Sequence, residues 1–447
     1  MDTIAAIATP PGFGGVGIVR VSGPKCRVIA ECLLGFLPQA RKAEYTSFID
    51  PQGRLLDQGL ALYFSAPNSF TGEDVLELQA HGGPVVLDLI LKAAINAGAR
   101  TAQPGEFSQR AFLNGKMDLA QCEAISDLIN ASTEQAARSA VASLQGEFSR
   151  LILEMLEQLI QTRVYIESYI DFVEEEIDFL SDKEIDSRLN KLKSDLQEIV
   201  KKAGMGRLLN EGMSVVIIGP PNAGKSSLLN RLVQDNVAIV TPIAGTTRDV
   251  LRERINIDGM PLHILDTAGL REDADLVEQE GIRRALIEAE KADRLLLVLP
   301  DEMQSLEKLA YYLALLPPKA KISIILNKID LSQRSPGLTT LEGRECIALS
   351  TKSDLGLEEL RTHLKNVMGY QSSNSEGIFT ARQRHLTALN QTIEAIEKGK
   401  RIWHQTHAVE LLAEELRLAQ LALNTITGDF DNEALLDRVF SSFCIGK

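Results

Sequence analysis

One segment of the sequence has the composition and spacing of a phosphate-binding loop. GPPNAGKS (219–226) fits the pattern GxxxxGK[ST] between a strand-like run, SVVII, and a helical run, SSLLNRLV. In such loops backbone amides surround phosphate groups, a lysine reaches the β- and γ-phosphates, and a hydroxyl ligates Mg²⁺. Lys225 and Ser226 would take the last two roles here, and the predicted nucleotide contacts of the loop are Asn222, Ala223, Gly224, Lys225, Ser226 and Ser227.

Two later segments predict which nucleotide the loop binds. DTAG (266–269) follows the strand-like run LHIL, so Asp266 would hold Mg²⁺ through water and Gly269 would offer its amide to the γ-phosphate. NKID (327–330) follows another strand-like run, and Asp330 would accept two hydrogen bonds from guanine that adenine cannot donate. The three motifs in this order predict a GTPase, whose further nucleotide contacts are Thr267, Ala268, Asn327 and Lys328.

Two shorter segments complete the predicted nucleotide site. STK stands where GTPases usually have SAK, so Ser350, Thr351 and Lys352 are assigned to the site as well. Because the middle residue of this motif is expected to act through its backbone amide, Thr351 is a mild departure. GTTRD (245–249) supplies Thr247, a switch threonine that would complete the Mg²⁺ shell when the γ-phosphate is present.

The residue that orients the hydrolytic water is not evident from these motifs. Leu270 follows DTAG, where a Ras-like protein has a glutamine for this role. Asn222 could help hold a monovalent cation beside the phosphates, and Glu278 could orient the water. Equally, Asn222 could only shape a turn and Glu278 could face solvent. Arg248 and Arg252 are rival donors of positive charge, although the surface of a mobile switch suits them better.

A second candidate for chemistry is the cysteine of the final FCIGK. Cys444 is fourth from the end of the sequence, as a prenylation signal requires, but the residues after it lie outside the usual set. It could be an idle or buried thiol, or a thiolate whose reactivity its surroundings tune. The other cysteines form no CxxC pair and fit reduced thiols in a cytoplasm; they are Cys26, Cys32, Cys122 and Cys346.

The elements that would position these residues fall into four segments. Residues 1–118 mix short β-like runs, such as IAAIA and VGIVRVSG, with one helical run at 84–97, which predicts an α+β domain. Residues 212–370 alternate strand-like and helical runs, which predicts a parallel sheet with crossover helices. Residues 119–211 and 371–447 have helical period. Because these two flank the α/β segment, we expect one helical domain into which a P-loop (Ras-like) G domain is inserted.

Local signals refine the first helical segment. Asp118 and Ser132 are expected to be helix N-caps, and Gln135, three residues after Ser132, completes a capping box. From Ser143 one helical period continues almost to Phe172. The acidic stretch DFVEEEIDFLSDKEID is interpreted as the solvated surface of a helix and turn rather than a metal site.

Composition limits the classes of protein that fit. The length of 447 residues, with 45% hydrophobic and 24% charged, suggests about three folded domains. The formal net charge of -14 argues against a protein that coats nucleic acid by charge alone, so any RNA contact would be local or supplied by a partner. No apolar run approaches the roughly 20 residues that span a bilayer, and the first residues do not form a signal peptide. A cytoplasmic location without membrane contact is therefore expected.

Several stretches together resemble one family, the MnmE (TrmE) GTPases of bacterial wobble-uridine tRNA modification. They are ATPPGFGGVGIVRVSG, SFTGEDVLELQAHGG, PGEFSQRAFLNGKMDLAQ, the GTPase motifs with DxVExxGI, and FCIGK, which together cover nearly the full length. The resemblance implies a homodimer formed by N-terminal domains that bind 5-formyltetrahydrofolate, and a G domain activated by potassium-dependent dimerisation. It also implies a heterotetramer with MnmG (GidA), the partner that would carry FAD and use NADH.

The resemblance also assigns individual residues. Glu278 falls at the catalytic glutamate, and Ser226 and Thr247 would hold Mg²⁺. Potassium would be surrounded by Asn222, Thr241, Ile243 and Thr246, and the folate contacts map onto Arg20, Glu77, Lys116 and Lys447. A pterin offers amide-like edges to a carboxylate, and its glutamate tail attracts cations. If Lys447 reaches that pocket, the tail folds back and brings Cys444 close to the one-carbon unit, where we hypothesise that it takes part in the modification.

The function that the resemblance implies is GTP hydrolysis in a complex that modifies tRNA. The modification would add a carboxymethylaminomethyl or aminomethyl group at C5 of the wobble uridine (U34). Hydrolysis would drive closure of the G domains, a population shift transmitted through the helical domain. Two alternatives from other classes stay open: a GTP-controlled assembly switch for ribosomes or signalling complexes, and a stand-alone folate enzyme regulated by its G domain.

Overall fold

The chain forms two compact units, residues 1–126 with 423–447 and residues 127–422. The computed structural model describes residues 2–171, 182–234, 252–257, 260–266, 290, 292–302, 305–318, 320–367, 379–428, 436, 439–441, 443, 444 and 446. Within these residues no helix has the length and apolar character that crossing a membrane requires.

In the described part of the first unit, six strands form one sheet in the order β3-β4-β5-β2-β1-β6. Neighbouring strands are antiparallel except β1 and β6, which are parallel. The strands are β1 (Ile4–Ile7), β2 (Gly14–Ser22), β3 (Glu44–Ile49), β4 (Leu55–Phe64), β5 (Val75–Gly82) and β6 (Arg100–Thr101). The helices are α1 (Cys26–Leu34), α2 (Pro84–Asn96) and α3 (Glu106–Leu113), and α4 (Leu119–Asn130) begins in this unit.

Alternation along the strands decides which side chains enter the core of this unit. Val19 on β2 and Leu78 on β5 are fully buried and share one apolar core with Ile90 of α2. Their neighbours Arg20 and Glu77 lie directly opposite each other on β2 and β5. Because successive side chains of a strand point to opposite faces, these two stand on the face away from that core. The α+β architecture predicted for this part of the chain is confirmed.

In the described part of the second unit, seven strands form one sheet in the order β12-β13-β11-β10-β7-β9-β8. The strands are β7 (Met213–Ile218), β8 (Arg252–Ile257), β9 (Met260–Asp266), β10 (Arg294–Pro300), β11 (Ile322–Asn327), β12 (Gly337–Leu341) and β13 (Arg344–Ala348). The helices are α5 (Glu134–Leu144), α6 (Glu147–Asp171), α7 (Asp182–Glu211), α8 (Lys225–Gln234), α9 (Ser305–Leu315), α10 (Ile329–Ser332), α11 (Leu357–Val367), α12 (Gln383–Thr406) and α13 (Val409–Thr427), the last of which continues into the first unit.

The second sheet is parallel in its centre and antiparallel at both edges. β13, β11, β10, β7 and β9 run parallel, whereas β12 and β8 run antiparallel to their neighbours, so the prediction of a parallel sheet is wrong for the edge strands. Ile218 at the end of β7 pairs with Leu297, and Asn327 at the end of β11 pairs with Pro300. Because parallel strands end at one edge of a sheet, the loops after β7 and β11 meet there.

The helix boundaries correct two local predictions. Thr133 is the N-cap of α5, because its Oγ1 accepts a hydrogen bond from Ala136 N at 3.1 Å, so the N-cap expected at Ser132 is wrong by one residue. The capping box lies instead at Asp118, whose Oδ1 accepts from Gln121 N at 2.8 Å while its own N–H donates to Gln121 Oε1 at 3.0 Å.

The helix expected from Ser143 is interrupted. α5 ends at Leu144 and α6 begins at Glu147, because Gly146 between them has a φ of +87°, a left-handed conformation that ends a helix. Phe172 and most of the acidic stretch after it lie outside the described residues, as does the polar linker QSSNSEG.

The path of the chain into and out of the second sheet passes one place on α7. This helix ends at Glu211, and β7 begins two residues later. A Cβ on Gly206 would lie 1.9 Å from Phe379 O, so the returning chain is in direct contact with the last turns of α7. The Phe379 ring also stacks on Phe148 of α6, with ring centroids 4.5 Å apart.

Candidate nucleotide-binding site

The phosphate loop connects the end of β7 to the start of α8. Gly224 has a φ of +93°, and a Cβ there would lie 2.2 Å from Asn327 Nδ2, so only glycine fits. Asn222 has a φ of +60°, which asparagine adopts more readily than most residues. Since α8 begins at Lys225, the amide-rich end of a helix stands at this loop, where anions are favoured.

The side chains of the loop suit a triphosphate with its magnesium ion. Lys225 Nζ donates hydrogen bonds to the carbonyl oxygens of Gly219 and Pro220, each at 2.9 Å, so its ammonium group is held over the loop. Phosphate oxygens would replace those carbonyl oxygens as acceptors. Ser226 and Ser227 are exposed in the first turn of α8, where the Ser226 hydroxyl is available as a magnesium ligand.

Asn327 ties the phosphate loop to the loop after β13. The residue is fully buried at the end of β11. Its Nδ2 donates to Ala223 O at 2.8 Å, and its Oδ1 accepts from Thr351 N at 3.2 Å. Thr351 thus contributes its backbone amide, and three loops of the site are held in one arrangement.

The base-binding side of the site is organised by a hydrogen bond between Ser350 and Asp330. Ser350 Oγ donates to Asp330 Oδ1 at 2.7 Å and accepts from Ser353 N at 3.3 Å. Because Ser350 is fully buried, its hydroxyl holds the Asp330 carboxylate in one position. Lys328, with a φ of +69°, turns the chain between Asn327 and Asp330, and Lys352 is exposed beside them. A carboxylate held in this way can accept the paired N–H donors of guanine.

Part of the predicted nucleotide site lies outside the described residues. Asp266 is the last residue of β9, and its backbone pairs with Ile217 of β7, the strand that leads into the phosphate loop. The predicted residues of the nucleotide site that lie outside the described part of the chain are Thr241, Ile243, Thr246, Thr247, Thr267, Ala268, Gly269 and Glu278. The predicted folate contact Lys447 also lies outside it.

In the first unit, the Arg20 side chain is mostly buried in a polar site rather than exposed on the surface. Its Nε donates to Glu77 Oε1 at 2.8 Å, and the two side chains are only 21% and 16% exposed. The guanidinium carbon is 5.4 Å from the centre of the Phe70 ring and 5.8 Å from that of Phe107. Lys116 Nζ donates to Pro67 O at 3.0 Å. Phe70 and Phe107 were not among the predicted site residues, although both lie in stretches that carry the family resemblance.

An ionic cluster holds α3 next to this site. Arg110, 7% exposed, donates to Glu106 at 3.0 Å, to Glu73 at 3.0 Å and to Asp2 at 2.8 Å. Arg100 donates to Glu106 at 2.6 Å. Burial alone would raise the pKa of the Glu106 carboxyl, but the hydrogen bonds from these arginines and from a backbone amide lower it below its usual range. The first turn of α3 is therefore fixed from several sides.

Cys444 lies against the same turn. Its carbonyl oxygen accepts a hydrogen bond from Gly105 N, the residue that precedes α3, at 3.3 Å. Its side chain is exposed, so the reading of a buried thiol is wrong, while Phe440 and Phe443 before it are buried with Leu119. Burial raises the pKa of the Cys26 and Cys122 thiols to about 12, which leaves them protonated at neutral pH.

The phosphate loop, its lysine and the fixed Asp330 define a P-loop GTPase. Residues 3–116 match the family described as the N-terminus of the GTP-binding protein TrmE, and residues 119–444 match the family described as the MnmE helical domain. Because the second match alone covers more than half of the chain, this protein belongs to the MnmE (TrmE) family. Members of the family act on tRNA, and the chain is a tRNA-modification GTPase.

Solved structures of GTP-binding proteins resemble parts of the chain. A variant of Era from Aquifex aeolicus bound to GDP and AlF4⁻ is 25% identical over 41% of this chain and 66% of its own, with a TM-score of 0.26. The G domain of the FeoB iron transporter of T. maritima is 22% identical over 35% of this chain and 98% of its own, with a TM-score of 0.26. A GTP-binding protein of the archaeon Sulfolobus solfataricus in complex with GDP is 16% identical over 60% of this chain and 78% of its own, with a TM-score of 0.27.

Proposed function

We propose that this GTPase drives the addition of a carboxymethylaminomethyl or aminomethyl group at C5 of the tRNA wobble uridine, U34. The observation that carries the proposal is the place of the exposed thiol of Cys444. Its carbonyl is bound by Gly105 N, two residues before Phe107, whose ring lies beside Arg20. A thiol and a polar recognition site are thereby attached to one helical turn.

The one-carbon donor is 5-formyltetrahydrofolate, bound at Arg20 and Glu77 with Lys116 and Lys447. Glu77 receives one hydrogen bond from Arg20 Nε, and a carboxylate has several acceptor positions, so it keeps capacity for the amino and amide N–H groups of a pterin. The lysines supply positive charge for the glutamate tail. Cys444 would act beside this ligand as a nucleophile or proton carrier.

GTP hydrolysis takes place in the second unit and depends on a potassium ion. Ser226 and Thr247 hold Mg²⁺, Glu278 orients the water, and K⁺ lies among Asn222, Thr241, Ile243 and Thr246. Asn222 is exposed in the phosphate loop, which leaves it accessible to a cation and to a second G domain. In this scheme the cation supplies the positive charge that an arginine finger supplies elsewhere.

The protein works as a homodimer joined through its N-terminal domains and forms a heterotetramer with MnmG (GidA) in the cytoplasm. MnmG supplies FAD and uses NADH, and it carries most of the tRNA contact, which accords with a net charge of -14 on this chain. The functional segments are residues 1–118 for folate and dimerisation, 119–211 and 371–447 for the helical domain, and 212–370 for the G domain.

The proposal is tested by mass spectrometry of tRNA nucleosides from cells that lack this chain. Rescue of the wobble modification by the wild type, with failure of Cys444→Ser and Glu278→Gln, is expected. Cys32→Ser, which changes the other exposed cysteine of the first unit, should rescue like the wild type. An unchanged nucleoside profile in cells without the chain would overturn the proposal in favour of an assembly switch. One-carbon turnover by the purified chain without MnmG would favour the stand-alone folate enzyme.

The potassium requirement has its own test. GTP hydrolysis is compared in KCl and NaCl at equal ionic strength for the wild type and for Asn222→Ala. We expect faster hydrolysis in KCl, and loss of that difference in the variant. Equal rates of the wild type in the two salts would remove potassium from the scheme without affecting the tRNA result.

A further inference from the structure

Two glycines, Gly105 and Gly446, allow the carboxyl-terminal tail to lie close to α3 and β1. Gly105, which precedes α3, donates its N–H to Cys444 O at 3.3 Å. Gly446, two residues after Cys444, lies against the end of β1, where an added Cβ would be 2.4 Å from Ile7 O. The thiol is thus carried on a short segment with a fixed point at the cysteine itself and another just beyond it.

Neither glycine can be replaced without moving the tail. Gly105 has a φ of +68°, and a Cβ there would lie 2.6 Å from Phe440 O and 3.1 Å from Phe443 Cβ. Gly446 has a φ of +97° in addition to its contact with Ile7. Both obstacles are backbone oxygen atoms, which cannot turn aside as a flexible side chain can.

The partner of the tail is itself immobilised. Glu106, the first residue of α3, accepts from Arg100 at 2.6 Å and from Arg110 at 3.0 Å. Phe107, the second residue, is fully buried beside the Arg20 guanidinium. The backbone amide that binds Cys444 O therefore belongs to the same rigid turn that packs against Arg20.

We propose that Gly105 and Gly446 are positioning residues, which fix the Cys444 thiol relative to the Arg20 and Glu77 site. The inference rests on the proposed role of Cys444 in the modification. The two glycines do not touch the reacting groups, and their contribution is to let the tail approach α3 and β1 closely enough to hold the thiol in one place.

The test compares Gly105→Ala with Gly53→Ala in the full chain. Gly53 has a φ of +78° in the same unit, but a Cβ there meets nothing within 4 Å, so this variant carries the backbone strain without the collision. The measurement is the rate at which iodoacetamide alkylates Cys444, read by peptide mass spectrometry relative to Cys32, which is also exposed.

Release of the tail by Gly105→Ala should raise the relative alkylation rate of Cys444 severalfold, because the exposed thiol is then no longer held against the start of α3. Gly53→Ala should leave the rate unchanged. Gly446→Ala is the second variant, because it disturbs the other contact of the tail, the one with Ile7 of β1, and it should give the same increase. Thermal unfolding checks that each variant is folded.

The outcomes separate this inference from the proposed function. Equal Cys444 alkylation in wild type, Gly105→Ala and Gly446→Ala would overturn the positioning role whatever the tRNA shows. A raised alkylation rate together with normal tRNA modification by Cys444→Ser would leave the positioning intact and remove the cysteine from the chemistry. Raised alkylation with loss of the modification in both glycine variants is the expected result.

Discussion

Asn327 and Ala223 join two loops that are 104 residues apart in the sequence, through a buried hydrogen bond of 2.8 Å from Nδ2 to the carbonyl oxygen. Because Asn327 Oδ1 also accepts from Thr351 N, this one side chain sets the distance between the phosphate loop and the base-binding loops. We therefore expect nucleotide affinity to depend on Asn327 mainly because its side chain holds the loops of the site in place.

Replacement of Asn327 by alanine should weaken GDP binding about 30-fold, equal to about 2 kcal/mol, because buried partners on two loops lose their hydrogen bonds. Titration with a fluorescent GDP analogue measures the loss. Asn390→Ala, at an exposed position of α12, should bind like the wild type. An unchanged affinity for Asn327→Ala would mean that the loops hold their places without this link.

Base selectivity should reside in Asp330. An asparagine there loses the acceptor for the guanine 2-amino group but gains an N–H donor, which can bond the oxygen that xanthine carries at that position. Asp330→Asn should lower the affinity for GDP at least about 100-fold and raise the affinity for XDP. Competition of the two nucleotides for a fluorescent analogue measures both changes. Asp354→Asn, a half-exposed acid that pairs with Arg231, is the control and should keep guanine selectivity.

The buried ionic cluster in the first unit should matter far more for stability than a surface ion pair. Arg110→Met leaves the buried Glu106 and the partly buried Glu73 without this partner and should cost about 3–5 kcal/mol. Arg138→Met breaks an i,i+4 pair with Glu134 in which both side chains are at least 75% exposed, and it should cost only about 0.3–0.5 kcal/mol. Calorimetric unfolding of the two variants measures the difference, and similar melting temperatures would contradict the expectation.

The same cluster predicts how stability falls in acid. Hydrogen bonding to Arg100, with a further bond from Arg110, lowers the pKa of Asp2 from 3.8 to about 2. The stabilisation is therefore fully present above pH 3.8 and is lost as the pH falls through about 2. Urea midpoints of the wild type and Asp2→Asn should differ at pH 5 and converge toward pH 2, about the folded-state value. A difference that stays constant over this range would exclude Asp2 as a source of the acid sensitivity.

The ion pair between Arg207 of α7 and Asp293, next to β10, should show energetic coupling in its contribution to stability. Arg207 Nη2 bonds Asp293 Oδ1, while Asp293 Oδ2 accepts from Ser214 N at 2.9 Å at the start of β7. A double-mutant cycle with Arg207→Met and Asp293→Asn, measured by urea unfolding, should give a coupling of about 1–2 kcal/mol. The more exposed pair of Arg231 and Asp354 should give less than about 1 kcal/mol. Additive energies for the first pair would show that α7 is held by other contacts.

The sequence predicted the parts of this fold whose signals are local. The central strands are almost wholly apolar, and their runs stand out because both faces are covered. The two edge strands were missed for the opposite reason: β8 is RERINI, and in β12 (GLTTL) only the first residue is buried and threonine stands at the centre. An edge strand has one neighbour and faces solvent, so its composition resembles that of a loop.

The candidate sites divide in the same way. Lys225, Asn327 and Asp330 were predictable because each lies in a motif with fixed spacing. The aromatic surroundings of Arg20 were not, since Phe107 comes from a distant part of the chain and only the packing of α3 brings the two together. Local spacing carries no signal for contacts of that kind.

The contact between Gly206 and Phe379 brings together the two points at which the nucleotide-binding segment joins the helical part of the chain. The chain that leads into the nucleotide-binding segment and the chain that leads out of it lie side by side on α7. A segment whose two ends lie next to each other can be inserted into another domain, or exchanged for a homologue, without changing the path of that domain's backbone. Insertion or exchange of the nucleotide-binding segment at this place on α7 would therefore leave the path of the helical segments unchanged.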